Sequence, residues 1–308
     1  MNSKAVDIVF VNYNSTRYLL KSLERVFHLS GGRDVKVFVV DNASQESLDV
    51  VTERFPAVCL IRNTVNEGFA AAANRALSRG GSPFVVLVNP DTLIQEGFLE
   101  TAVGYMESHP SVGVLGPRIL NPDGTLQGSA RGFPGVSTFL FGRSSLLTRW
   151  FPENPLSRKN VVVLDRELRE PLEVDWVSGA CMVVRRKAFE SVGLLDDGFF
   201  MYWEDADWCR RMWDAGWKVV HHPSVSVVHE VGASSRTDPF RAAMAFHRSA
   251  YRYCAKYLPT RYAFAKPLIF GLLSLRLVFT FAGGRLRRAL RRYEDAGGAR
   301  DPVARTDG

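Results

Sequence analysis

Val35-Lys36-Val37-Phe38-Val39-Val40-Asp41-Asn42-Ala43-Ser44 carries the reading of the fold. Four valines and a phenylalanine around one lysine form a short β-branched run, the pattern of a strand buried on both faces. The run stops on a carboxylate and turn-forming residues. Open α/β sheets bind ligands beyond the carboxyl ends of their strands, so the place of Asp41 matters as much as the strand before it. An Asp there can accept from the imide N–H of uracil or thymine, or from ribose hydroxyls. It can equally be a turn or helix-cap Asp, and taken alone that is the simpler account.

Working outward, Val6–Val11, Val58–Ile61 and Phe84–Val88 repeat the buried-strand pattern. Helical stretches lie between them near Tyr18–Leu29, Glu46–Phe55 and Ala70–Leu77, with Ser44 as N-cap of the second. This alternation predicts an α/β fold, a mainly parallel central sheet with right-handed crossovers and flanking helices. A helix near Phe98–Met106 stops before Pro110 and a strand follows at Val112–Leu115. Asn121-Pro122-Asp123-Gly124 is placed for a tight turn, hence a hairpin. Residues 132–172 read as a long irregular surface excursion. Patterning resumes with Val174–Val177, Cys181–Val184, a helix near Ala206–Ala215, and separate strands near Lys218–Val220 and Val225–Val228.

The net charge of +7 is uneven: residues 241–308 hold 14 Lys/Arg against 4 Asp/Glu, so the first 240 residues are slightly acidic. One basic end on an acidic body, without a recognisable nucleic-acid-binding motif, argues against nucleic acid as a partner. Cys59, Cys181, Cys209 and Cys254 stand far apart, which suits a reducing cytosol rather than a zinc site or disulfide framework. Met1-Asn2-Ser3-Lys4 runs straight into a strand pattern without the form of a cleavable signal, so a cytoplasmic location is expected. Beyond Pro239 come a helix at Phe240–Tyr257 and an apolar run, Pro267–Ala282, broken by Ser274, Arg276 and Thr280. Arg285, Arg287, Arg288, Arg291 and Arg292 follow. That run is shorter than the ~20 apolar residues of a span and reads as a helix lying in the membrane interface, peripheral on the inner face. The organisation expected is a catalytic domain over 1–238 (donor half 1–117, acceptor half 118–238), basic helices over 239–292 and a disordered tail over 293–308.

Polar clusters fall where strands end. The first strand–helix connection, Val11-Asn12-Tyr13-Asn14, is not a glycine-rich dinucleotide turn, and no phosphate-binding loop of the NTPase type occurs. Asn63 and Asn66-Glu67-Gly68-Phe69 lead into a small-residue helix ending near Asn74. Gly68 would let backbone approach a ligand, and asparagine amides can bond phosphate or ribose; an ordinary polar loop before a tightly packed alanine helix accounts for the stretch equally well. Asn89-Pro90-Asp91 ends an apolar strand, where a carboxylate is costly unless compensated, as by a divalent cation. Glu204-Asp205-Ala206-Asp207 opens a helix whose N-terminus favours negative charge. Not all three acids can cap, and Asp205 is the candidate general base, with Glu204 and Asp207 orienting neighbours or binding acceptor hydroxyls. His229, after Val225–Val228, gains interest only from this company.

In order, VNYN, VVDNAS, NEGFAAAAN, NPD, WVSGACMVVRR, FFMYWEDADWCRR and VVHEVGAS resemble glycosyltransferase family 2, within it the bacterial rhamnosyltransferase-like branch, over residues 5–235. The resemblance implies the GT-A nucleotide-sugar fold and an inverting transferase with Mg²⁺ or Mn²⁺ as cofactor. It implies that Asp41 contacts the donor base or ribose, that Asp91 and His229 hold the metal, that Asp205 is the base, and that Trp176 and Gly179 line the acceptor side. Asn12, Asn14, Asn42, Asn66, Gly68, Asn74 and Asn89 fall on the donor side. Asn89 departs from a strict DxD. Expected partners are a dTDP- or UDP-sugar, with dTDP-rhamnose leading, a glycan or polyprenyl-diphosphate-linked acceptor, and the membrane surface. The competing readings are a nucleotidyltransferase, which lacks its glycine-rich basic loop here, a non-catalytic nucleotide-sugar or glycan-binding scaffold, and a membrane-surface adaptor that leaves the acidic clusters unexplained.

Overall fold

The strand runs fold as their composition dictates. In a computed structural model, β1 (Val6–Asn12), β2 (Val35–Asp41), β3 (Cys59–Arg62) and β4 (Phe84–Val88) lie parallel in the order β3-β2-β1-β4. The structure describes residues 5–30, 32–133, 168–230 and 239–297. Ile8, Phe10, Val37 and Val39 join one buried cluster, while their alternating neighbours Val9, Phe38 and Val40 are buried outside it. Period-two alternation with both sets buried means that both faces of the sheet are covered.

Helices α1 (Thr16–Leu29), α2 (Asp49–Arg54) and α4 (Phe98–Ser108) supply Leu19, Leu23, Val51, Phe98, Leu99 and Met106 to that cluster. Helix α3 (Phe69–Leu77) packs on β1 and β2 through Ala70, Ala72, Ala73 and Ala76, all fully buried. Small side chains let this helix lie close to the sheet. Ser44 is not the N-cap of α2, which begins five residues later; its Oγ instead accepts from Asn12 Nδ2 and the Asn14 N–H.

The sheet continues from β4 through β11 (Cys181–Arg185), β6 (Val112–Leu120), β12 (Lys218–His229) and β5 (Thr92–Ile94). β11 runs antiparallel to β4 and β6, whereas β12 is parallel to β6, so the sheet is mainly parallel with one reversed strand inside. The two strands expected at 218–228 are one strand. Its pairing with β6 shifts between His222 and Ser226, a bulge around Pro223 that keeps both halves in the sheet. The hairpin at Asn121–Gly124 forms, with Gly124 at φ +79° and β7 (Leu126–Gln127) pairing back on β6. Val174–Val177 is split: β9 (Leu172–Glu173) pairs with β12, and β10 (Trp176–Val177) pairs with β8 (Ala130–Arg131). Most of the expected excursion, residues 134–167, lies outside the described residues. Helices α5 (Arg186–Val192) and α6 (Glu204–Asp214) complete this unit, Met1–Pro239.

A second unit, Phe240–Gly308, contains α7 (Pro239–Tyr257 with its first residue in the preceding unit), a 3-10 turn (Thr260–Ala265) and α8 (Lys266–Gly297). Helix α8 thus runs into the stretch expected to be disordered; residues 298–308 lie outside the described ones. Tyr251 of α7 meets Phe270 of α8 edge to face at 5.4 Å. Leu268, Leu272, Leu275 and Phe279 of α8 are exposed at spacings of three and four, an apolar stripe that Phe264 of the 3-10 turn extends, and Phe270 and Val278 are exposed beside it.

Candidate active site

Asn12, Asp41 and Asn63 stand side by side at the ends of β1, β2 and β3: Asn12 is in register with Asp41, whose carbonyl accepts the Asn63 N–H at 2.8 Å. Asp41 is 8% exposed, and its Oδ1 accepts the Ser44 N–H at 3.0 Å. The turn account and the ligand account of Asp41 are therefore compatible, since one oxygen holds the turn and the other stays uncommitted among the described residues.

Several asparagines expected to touch the donor hold loops instead. Asn42 Nδ2 donates to Asn66 Oδ1 and the Gly68 carbonyl, while its Oδ1 accepts from Asn63 Nδ2 and the Glu67 N–H. Both donors and both lone pairs are used, so nothing remains for a ligand. Asn12 is fully buried between Ser44 and Ser15, and Asn74 bridges the backbone N–H and C=O of Leu195. All three hold loops in place, and only Asn42 has its full hydrogen-bonding capacity used in doing so. At Gly68, φ +86°, a Cβ would lie 2.3 Å from the Phe200 carbonyl oxygen, so this glycine permits a close approach of the Phe200 backbone. Asn14, Asn66 and Asn89 keep amide hydrogens uncommitted among the described residues.

Asp91, just past β4, and His229, the last residue of β12, converge: Asp91 Oδ1 lies 3.3 Å from His229 Nε2. The pairing of β12 with β5 puts His229 opposite Thr92, and the Glu230 N–H donates to the Asp91 carbonyl at 2.9 Å. Gln127, to which the sequence drew no attention, sits behind the ring, its Oε1 3.0 Å from Nδ1. One carboxylate oxygen and one imidazole nitrogen side by side form a donor set that Mg²⁺ or Mn²⁺ accepts, the remaining positions falling to phosphate and water.

Asp205 is tied to this edge through β11. Its Oδ2 accepts the Gly179 N–H at 2.8 Å, and the carbonyl of the next residue, Ala180, accepts the Asn89 N–H at 3.0 Å. Two peptide links thus separate the anchor of Asp205 from the strand end that carries Asp91. Gly179 serves here through its backbone, and an added Cβ would reach van der Waals contact with Asp205 at 3.4 Å. Tyr202 and Trp203 enter α6 with φ of +69° and +73°, a conformation that bulky residues seldom adopt and that clusters at functional sites.

Burial, then the Asp205 charge beside it, pushes the Glu204 carboxyl well above the usual carboxylate range; its buried Oε2 has no hydrogen-bond partner among the described residues. Burial raises Asp205 as well, opposed by the Gly179 and Ala206 N–H groups and by Arg131. Of these two adjacent acids, the one that holds donors has its charge better supported, so Asp205 gives up its proton more readily than Glu204. Asp207 is fully buried and paired with Arg211 Nε at 2.9 Å, the arrangement of an acid that orients a neighbour rather than one open to an acceptor hydroxyl. Trp176 lies 6.4 Å from Trp203 between ring centroids, with the Arg131 guanidinium 5.1 Å over its face.

The sequence model of the family described as Glycosyl transferase family 2 matches residues 7–193. The N-acetylglucosaminyl-diphospho-decaprenol L-rhamnosyltransferase of Mycobacterium tuberculosis (strain ATCC 25618 / H37Rv) is 33% identical over 262 residues, 80% of this chain and 83% of its own. Rhamnosyltransferase WbbL of Escherichia coli (strain K12) is 25% identical over 82% of this chain and 93% of its own. The mannosyltransferase PcManGT from Pyrobaculum calidifontis, in complex with GDP-Man and Mn²⁺, superposes with a TM-score of 0.55 at 18% identity, covering 96% of this chain and 81% of that one. That likeness concerns the fold, which is GT-A. With the family's pattern across more than half its length and a relative one-third identical over most of both chains, this chain belongs to glycosyltransferase family 2.

Proposed function

We propose that this glycosyltransferase is inverting and metal-dependent, moving a sugar from a nucleoside diphosphate to a hydroxyl of a polyprenyl-diphosphate-linked glycan. L-Rhamnose from dTDP-rhamnose is the leading donor. The observation that carries the reading is the meeting of Asp91 and His229 at 3.3 Å, on the same sheet edge as the anchor of Asp205. In the mechanism, Asp205 accepts the proton of the acceptor hydroxyl as its oxygen attacks the anomeric carbon from the face opposite the diphosphate. One base and one displacement invert that centre. Gly179 and Ala206 hold the carboxylate in place. Asp91 and His229 would hold Mg²⁺ or Mn²⁺, which offsets charge growing on the departing diphosphate. The free oxygen of Asp41 faces the nucleoside, and Trp176 with Trp203 receives the acceptor sugar.

The rhamnosyl donor and the lipid-linked acceptor are favoured by the names of the relatives, one of which acts on a decaprenol-linked substrate. Thr260–Phe279, with mean hydropathy 1.5 and only 11% of it buried, is by length and composition able to cross a bilayer. The apolar stripe along one side, with Arg285–Arg292 following, favours a helix in the interface of the cytoplasmic leaflet. Nucleotide release by the purified protein across a panel of dTDP-, UDP- and GDP-sugars, with Mn²⁺ or with chelator, tests the activity. Metal-dependent release from dTDP-rhamnose supports the reading, and equal release with chelator refutes the metal role. Nucleotide binding without release from any sugar, with acceptor supplied, would instead indicate a scaffold.

A further inference from the structure

The hairpin at 121–127 contacts His229 through one side chain, and every hydrogen bond leading to that contact has a defined direction. Asp123 offers only acceptor oxygens; Thr125 donates to it from Oγ1 at 2.6 Å and from its N–H at 2.9 Å. These bonds hold the Asp123 carboxyl below the usual carboxylate range, as an anion. With its hydrogen committed, Thr125 Oγ1 can only accept from Asn121 Nδ2, 2.8 Å away, which turns Asn121 Oδ1 toward Gln127. Gln127 Nε2 donates to that oxygen and to the His229 carbonyl, both at 2.8 Å. Turning the Gln127 amide over would set its oxygen against two other oxygens. Gln127 Oε1 therefore faces His229 Nδ1 at 3.0 Å, and an amide oxygen can only accept.

The hydrogen of the imidazole thus belongs on Nδ1, and Nε2 is the nitrogen that faces Asp91 Oδ1. We propose that Gln127, oriented by Asn121, Thr125 and Asp123, is the positioning residue that keeps His229 as the Nδ1–H tautomer, so that its Nε2 lone pair is presented with Asp91 to a divalent cation. The hairpin is then part of the metal site without touching the metal. Asp91 Oδ1, 3.3 Å from Nε2, is likewise an acceptor, so that side of the ring is the one a cation between the two groups would satisfy. The inference rests on the proposed metal role of Asp91 and His229, and partners of this kind govern the orientation and basicity of ligating histidines.

Two measurements on the full-length protein test it. Long-range ¹H–¹⁵N NMR of ¹⁵N-histidine-labelled, metal-free protein reads the tautomer, with His229 assigned by its loss in His229→Ala. The wild type is expected to show hydrogen on Nδ1, and Gln127→Leu a shift toward Nε2–H, the form favoured by a free ring. Calorimetry of Mn²⁺ in the presence of dTDP is expected to show affinity reduced about 10- to 100-fold in Gln127→Leu. Should Gln127→Leu fail to fold, Thr125→Val breaks the relay on the turn and should move both readouts in the same direction by less.

An Nε2–H tautomer in the wild type overturns the inference. So does a folded Gln127→Leu protein with unchanged tautomer and Mn²⁺ affinity. A wild type with the Nδ1–H ring that binds no Mn²⁺ with dTDP would refute the metal reading instead, a result distinct from both.

Discussion

Two acids adjacent in sequence, Glu204 and Asp205, differ because their surroundings differ. Asp205 has two backbone N–H donors, whereas Glu204 keeps a buried oxygen without a partner among the described residues. Asp205→Asn keeps the shape and removes the base, so kcat should fall about 100-fold or more while donor binding by calorimetry barely changes. Because burial raises Asp205 above the ordinary aspartate value, and a base works only when deprotonated, kcat/KM should fall with acid at a pH above that value. Arg131 favours the anion, so Arg131→Gln should move this acid limb further up; a limb that stays put would remove Arg131 from the electrostatics of the base. Asp91→Ala should abolish metal-dependent donor binding, read by titrating the nucleotide with and without Mn²⁺. Unchanged Mn²⁺ dependence would take Asp91 out of the site.

Between residue and domain stand the devices that hold elements in place. Arg211, on the same helix as Asp205, pairs with the fully buried Asp207 and donates to the carbonyls of Val192, Gly193 and Leu194, clamping α6 to the end of α5. Arg211→Met would remove the cation that faces the buried Asp207 carboxylate, and about 3–5 kcal/mol of stability should be lost in urea unfolding. A loss below about 1 kcal/mol would mean that the pair is not a clamp. Gly68 has a backbone conformation open to glycine almost alone and meets Phe200 backbone. Gly68→Ala should therefore cost at least about 2 kcal/mol. The sequence indicated glycine and asparagine at this turn but not what they hold. Glycine permits close approach to anything, and an amide bonds a loop as readily as a phosphate.

At the scale of the whole molecule, the second unit supplies an exposed apolar stripe and a basic end. Deleting residues 262–308 should release the protein from anionic vesicles in a flotation assay while sparing transfer to a soluble acceptor analogue; a truncated protein that still floats would defeat the interfacial reading. The order of strands and helices, the α/β class and the strand-end positions of Asp41, Asp91 and His229 were legible in the chain. Apolar runs, their period and the residues that stop them are local properties, and burial of both sheet faces demands them. The single strand at 218–229 was not legible, because Pro223 looks like a break until β6 absorbs the bulge beside it. Nor was the difference between Glu204, Asp205 and Asp207, three acids in four positions with one composition. Which of them is desolvated without a partner among the described residues, which holds backbone donors and which is locked in an ion pair depends on Gly179 and Arg131, far away in the chain, and on the direction in which each side chain leaves its helix. The same holds for Gln127, whose neighbours along the chain say nothing of His229. Local pattern determines what forms, but ionisation and tautomer are set by the atoms a group meets, and those only the folded chain brings together.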